Sequence, residues 1–169
     1  MNSRLIIGLG NPDEKYENTY HNIGFLTLNY LDKEKKKEWE NFKDEFMYKK
    51  VDKKIFIKPL TYMNNSGKAV SSAIKFFKAK PQEILIIHDD SDIFLRSFKK
   101  SFGKNAAGHR GVESIIKSLK TKEFWRLRIG IRPEKEKKRV KATDLILKKI
   151  TPANMKKLQS VFKKAFSRA

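Results

Sequence analysis

The stretch Leu5-Ile6-Ile7-Gly8-Leu9-Gly10-Asn11-Pro12 decides the fold. A short apolar, β-branched run that stops at glycines reads as a buried strand. Gly8 and Gly10 let the chain turn sharply and leave the strand's carboxyl end uncovered. Tyr16, His21 and Asn22 follow closely. An open α/β sheet keeps its ligands beyond the carboxyl ends of its strands, and these polar groups fall there. A dinucleotide fingerprint is the rival reading, and it fails on detail. The position of its third glycine is Asp13, Pro12 interrupts the turn, and no helical pattern begins before about Asn22.

Outward from this strand, Ile23, Phe25, Leu26, Leu28 and Leu31 predict a helix over 22–36. Phe46 to Val51 and Ile55 to Ile57 predict two strands joined at Asp52-Lys53, the second ended by Pro59. An amide-rich turn from Lys58 to Gly67 leads into a helix carrying Val70, Ala73, Ile74 and Phe77. Ile84 to Ile87 is a continuous apolar run of the kind buried on both faces, and it delivers His88, Asp89, Asp90 and Asp92. An edge strand over 96–102, a loop over 103–110, a helix through Val112, Ile115, Ile116 and Leu119, and a strand over 127–131 complete the pattern. A charged linker over 134–141, the run Leu145-Ile146-Leu147 and a terminal helix follow. Strands alternating with helices predict one α/β domain over residues 1–169. The expected architecture is three layers, α/β/α, around a twisted, mostly parallel mixed sheet.

Charge is unevenly placed. The chain of 169 residues carries a net +20, yet residues 1–95 hold 16 basic and 14 acidic side chains, against 23 and 5 in residues 96–169. A one-sided basic surface is the footprint expected for a nucleic acid partner. There is no cysteine, which excludes disulfides, thiolate metal sites and Cys nucleophiles. Histidines spread over 21, 88 and 109 argue against a His-only metal site. The carboxylates at 89, 90 and 92 form a weaker cation-binding alternative. No run approaches the ~18 apolar residues of a membrane span, and no signal-peptide core is present. A cytoplasmic protein with no membrane association, no metal and no cofactor is expected.

Three strand ends therefore carry polar groups: Asn11 with His21, Asn64, and Asp89. A neutral imidazole can take a proton from water, a carboxylate can hold its tautomer, and amide N–H groups can steady an oxyanion. With no G-x-S-x-G elbow and no cysteine, water itself is the expected nucleophile.

Gly8-Leu9-Gly10-Asn11-Pro12, Tyr16 and His21-Asn22-Ile23-Gly24-Phe25 resemble the first signature of the bacterial peptidyl-tRNA hydrolases. Lys58-Pro59-Leu60-Thr61-Tyr62-Met63-Asn64-Asn65-Ser66-Gly67 resembles the second. His88-Asp89-Asp90-Ser91-Asp92, Gly108-His109-Arg110-Gly111 and Arg126-Leu127-Arg128-Ile129-Gly130-Ile131 resemble the rest, in family order. The resemblance implies cleavage of the ester between a peptide and the 3′ ribose of tRNA, without cofactor. It implies His21 as base, Asp89 as its orienting carboxylate, and Asn11 and Asn64 as amides positioning substrate and water. It further implies Tyr16 and Met63 as cleft lining and Arg128 as a tRNA phosphate contact, with Lys100 and Lys104 near a second one. Peptidyl-tRNA is then the partner of a monomer with no obligate protein partner. Four positions depart from the family pattern: Asp13 and Ala107 for glycines, Tyr20 for an arginine, and Arg110 for a substrate-contacting asparagine. An RNA-binding protein that keeps the cleft without turnover is the alternative.

Overall fold

The structure is a computed structural model that describes residues 3–32, 38–135 and 141–167. Its elements run β1 (Leu5–Gly8), α1 (Ile23–Leu31), β2 (Glu40–Phe42), β3 (Phe46–Val51), β4 (Lys54–Pro59), α2 (Ser66–Phe76), β5 (Ile84–Phe94), β6 (Phe98–Phe102), α3 (Arg110–Leu119), β7 (Trp125–Arg132) and α4 (Pro152–Phe166). The strands form one seven-stranded sheet in the order β2-β3-β4-β1-β5-β7-β6. The neighbours β4, β1, β5 and β7 are parallel, while β2–β3, β3–β4 and β6–β7 pair antiparallel. Only β3 and β6 therefore run against the rest.

Side-chain alternation along the central strands builds the layers. Leu5, Ile7, Ile84 and Ile86 face a core shared with Val70 and Ala73 of α2 and Val112 and Ile115 of α3. Ile6, Leu85 and Ile87 face the opposite core, shared with Leu28 of α1 and Leu158, Val161 and Phe162 of α4. Burying both faces of a strand demands a run without polar interruption, which is why Ile84 to Ile87 reads as it does.

The C-terminal helix starts cleanly because Thr151 Oγ1 accepts from Asn154 N at 3.2 Å, with Pro152 in its first turn. The first helix is shorter than the sequence pattern predicts. It ends at Leu31, and Asp32 leaves helical geometry with its carboxylate 2.7 Å from Nζ of buried Lys49. Residues 33–36 of the expected helix lie outside the described residues. Strand β2 has no counterpart in the sequence pattern. It is three residues long, too short for an alternation signal, and Phe42 stacks on Phe46 with ring centroids 4.9 Å apart.

Two features of this frame make the site. Strand β1 stops opposite Ile87, whereas β5 continues to Phe94 with β7 still paired to it. His88, Asp89 and Asp90 thus sit within β5 rather than after it, beside the space that β1 leaves. Second, α1 rests on the end of β1 through Gly24, where a Cβ would come within 2.2 Å of Leu9 N and 2.6 Å of Ile87 O. No larger residue permits that approach, and it sets His21 and Asn22 over the gap.

Candidate active site

The loop after β1 is held by amides. Asn22 Oδ1 accepts from Asn11 N at 2.8 Å, and Asn22 Nδ2 donates to Asn11 O at 2.9 Å. Asn11 Oδ1 accepts from Met63 N at 2.8 Å, joining this loop to the 3₁₀ turn Met63–Asn65 at the head of α2. That contact fixes the Asn11 amide orientation, and its Nδ2 has no hydrogen-bond partner among the described residues. Asn64 is exposed and equally unengaged.

Asp89 is the centre of the site. Its Oδ1 lies 2.8 Å from His21 Nδ1 and 3.1 Å from His109 Nε2. His109 is the N-cap of α3, and its Nδ1 accepts from Val112 N at 3.3 Å. The His109 proton therefore sits on Nε2 and is donated to Asp89. His21 likewise donates from Nδ1, which leaves its Nε2 as an unprotonated lone pair. Burial opposes ionisation of Asp89, but the polar N–H and hydrogen bond of His109, then those of His21, outweigh it and hold the carboxyl well below the usual range.

His88 completes a cluster of all three histidines in the chain. Its Nδ1 donates to the Asp89 carbonyl at 2.7 Å, and its ring meets His109 edge-on at 4.5 Å between centroids. Burial first, then His109, pushes the His88 imidazole well below its ordinary pKa. The histidines, spread along the sequence, meet in space. Three elements far apart in sequence meet at the end of one sheet, and His21, Asp89 and His109 bring donor atoms within 4.8 Å of one another.

A cleft of about 880 Å³ opens above this cluster. Asn11, Tyr16, His21, Met63, Asn64, Asp89 and Arg110 all line it. Arg128, Lys100 and Lys104 do not. Arg128 donates through Nε to Asp90 Oδ2 at 2.7 Å, behind the cleft wall that Asp90 forms. Lys100 pairs with Leu127 and shares its face of the sheet, whereas Lys99 pairs with Arg128 and shares that residue's face. Strand parity therefore points to Lys99 rather than Lys100 as the lysine beside Arg128.

Two groups were missed from sequence. His109 falls in the loop expected over 103–110, although a histidine directly before a helical apolar pattern is in capping position. The sequence pattern gives a charged linker over 134–141, of which residues 136–140 lie outside the described residues, and an apolar run at 145–147, but no role for the segment over 141–150. It lies along the first loop instead, with His21 N donating to Ile146 O at 2.9 Å and Ile150 N to Asn18 O at 2.8 Å. Ala142, Thr143, Ile146 and Leu147 thereby become a cleft wall.

The departures from the family pattern have local accounts. Tyr20 is buried and its hydroxyl accepts from Asn154 Nδ2 of α4 at 2.8 Å. Asp13 accepts from the Tyr62 hydroxyl at 2.8 Å, tying two lips of the cleft together. Ala107 stands at φ 52°, a left-handed conformation that glycine adopts without the steric cost of a Cβ. Arg110 is exposed, and no described residue pairs with it.

A family model described as peptidyl-tRNA hydrolase matches residues 5–169. The chain belongs to the peptidyl-tRNA hydrolase family. A peptidyl-tRNA hydrolase of Lactobacillus delbrueckii subsp. bulgaricus is 41% identical over 166 residues, covering 95% of this chain and 88% of the relative. One from Aquifex aeolicus is 39% identical over 170 residues, covering 98% and 87%. The crystal structure of peptidyl-tRNA hydrolase from Acinetobacter baumannii superposes with a TM-score of 0.83 at 32% identity, covering 99% of this chain and 86% of that one. Family membership accounts for the three-layer frame and for the order of the motifs along it.

Proposed function

We propose that this chain hydrolyses the ester joining a peptide to the 3′ ribose of tRNA, with His21 activating water. The observation that carries the reading is the 2.8 Å contact between His21 Nδ1 and Asp89 Oδ1, which assigns the proton to Nδ1 and leaves Nε2 as a base in a cleft whose lining includes an amide donor from Asn11. Water loses a proton to His21 Nε2 as its oxygen bonds to the ester carbon. Asn11 Nδ2, assisted by Asn64, steadies the oxyanion. Collapse breaks the bond to the ribose oxygen, which takes the proton back from His21, giving a carboxylic acid and a free ribose hydroxyl. His109 is the second donor that keeps Asp89 ionised.

Tyr16, Met63 and the 142–147 wall give the peptide and terminal nucleoside apolar surface. Arg110 meets backbone phosphate at the cleft mouth. The tRNA body is held by the basic second half of the chain, through Lys99 beside Arg128 and with Lys104 beyond. Asp90 already occupies part of Arg128, so its phosphate contact uses the remaining guanidinium donors. All groups in this scheme come from one chain, which supports action as a monomer without an obligate protein partner. No helix among the described residues is long and apolar enough to cross a membrane. Action on tRNA supports a cytoplasmic role in the release of tRNA from stalled translation.

The test is hydrolysis of N-acetyl-aminoacyl-tRNA by the purified chain in ¹⁸O-labelled water. Label in the released acid is expected. Label in the ribose hydroxyl, or no release at all, contradicts the reading and favours RNA binding without turnover.

A further inference from the structure

We propose that His21, Asp89 and His109 form a binding site for a divalent transition-metal ion of the zinc class, and that occupying it switches hydrolysis off. Only the inhibitory half rests on the function proposed above; binding itself rests on geometry. Two imidazoles and one carboxylate are a donor set that zinc takes readily, at about 2.0–2.2 Å per bond. Tetrahedral ligands at that length stand about 3.3 Å apart. Two of the three separations here are already 2.8 and 3.1 Å, and all three donor atoms lie within 4.8 Å. Small ring movements therefore seat an ion, and the fourth position opens to the cleft that His21, Asp89 and His109 line.

Each imidazole would have to exchange tautomer. His21 binds through Nδ1, so its proton moves to Nε2 and the lone pair facing the cleft becomes an N–H. The base is lost although the ring stays in place. His109 binds through Nε2, so its proton moves to Nδ1, and the 3.3 Å hydrogen bond from Val112 N is given up. That contact is long, and its loss is a small penalty beside three metal bonds. Both rings stay neutral, no proton is released, and the local charge changes from −1 to +1.

The chain contains three histidines and no cysteine, and the third histidine, His88, keeps its Nδ1 on the Asp89 carbonyl. Any imidazole-bound metal signal from untagged protein therefore arises in this cluster. Titration of the untagged full chain with Co²⁺ should produce the visible bands of four-coordinate cobalt at one equivalent, removed by Zn²⁺. Asp89→Asn and His109→Gln should each weaken Co²⁺ binding at least tenfold, a usual order for metal-site substitutions. X-ray absorption of the Zn²⁺-loaded native chain needs no variant and should show two imidazoles among the ligands. Saturating Zn²⁺ should lower hydrolysis at least tenfold, with recovery on chelation. Absence of the bands, equal bands in both variants, or an all-oxygen zinc shell overturns the site. Unchanged or faster hydrolysis with Zn²⁺ overturns the inhibitory role. A chain that binds Co²⁺ as described but never hydrolyses the ester overturns the proposed function and leaves the site standing.

Discussion

Arg128 Nε donates to Asp90 Oδ2 at 2.7 Å, with 22% and 10% of the two side chains exposed. This pair puts a compensated carboxylate, rather than a bare one, on the cleft wall nearest Asp89. Arg128→Gln should therefore do more than weaken tRNA contact. It uncovers a mostly buried negative charge and should cost about 1–2 kcal/mol of stability, between the values for exposed and buried pairs. Asp90→Asn in the same background should recover most of that loss, measured by denaturant unfolding. Losses that simply add would show that the two residues are not coupled.

Register separates Lys99 from Lys100. Lys99 stands opposite Arg128 and Lys100 opposite Leu127, so their side chains leave opposite faces of β6. Lys99→Glu should weaken tRNA binding and flatten its log–log salt dependence by about 1, the share of one phosphate contact. Lys100→Glu should do much less. Filter binding across a salt series checks this, and the reverse ranking would contradict the placement.

Arg110 tests the divergent position. A guanidinium has five donors, no acceptor and a permanent charge, so it cannot copy an asparagine amide. It is exposed at the cleft mouth and unpaired among the described residues. Arg110→Asn should keep or raise turnover on an N-blocked aminoacyl-adenosine while weakening affinity for whole tRNA about tenfold, the loss of one charged contact. Abolished hydrolysis of both substrates would make Arg110 a catalytic group.

His88 gives the fold a pH dependence. Burial, and next His109, push its pKa well below the ordinary value, with Asp89 pulling the other way and Arg126 adding to the depression. The unfolded chain takes up this proton below about pH 6.5, while the folded chain does so only at lower pH. The contribution of the neutral ring is therefore complete above about pH 6.5 and is lost as pH falls toward the folded pKa, at up to about 1.4 kcal/mol per pH unit. Asp89, also depressed, keeps its contribution until pH falls below about 4, so the two windows separate. Unfolding free energy between pH 5 and 7.5 should rise more steeply for the native chain than for His88→Asn. Parallel curves would mean that His88 does not carry the effect.

Much of this site was legible before the fold was known, for physical reasons. Buried parallel strands cannot hide polar residues, so Asn11, Asn64 and Asp89 stand out where apolar runs end. What stayed hidden depends on tertiary placement. The parity of Lys99 and Lys100 is undetermined until β6 finds β7. His109 gains its role only when α3 brings its cap to Asp89. The apolar run at 145–147 gives no sign that its backbone will accept from His21, because that contact joins residues 125 positions apart.

The most direct measurement is single-turnover hydrolysis of N-acetyl-aminoacyl-tRNA by the native chain and His21→Ala, with tRNA affinity measured on the same preparations. His21 has its Nδ1 tied to Asp89 and its backbone to Ile146 O, so removing the ring spares the surface that binds tRNA. The account predicts a rate about 10²–10⁴-fold lower, the usual worth of a general base, with affinity unchanged. A folded His21→Ala chain that turns over at the native rate would contradict it.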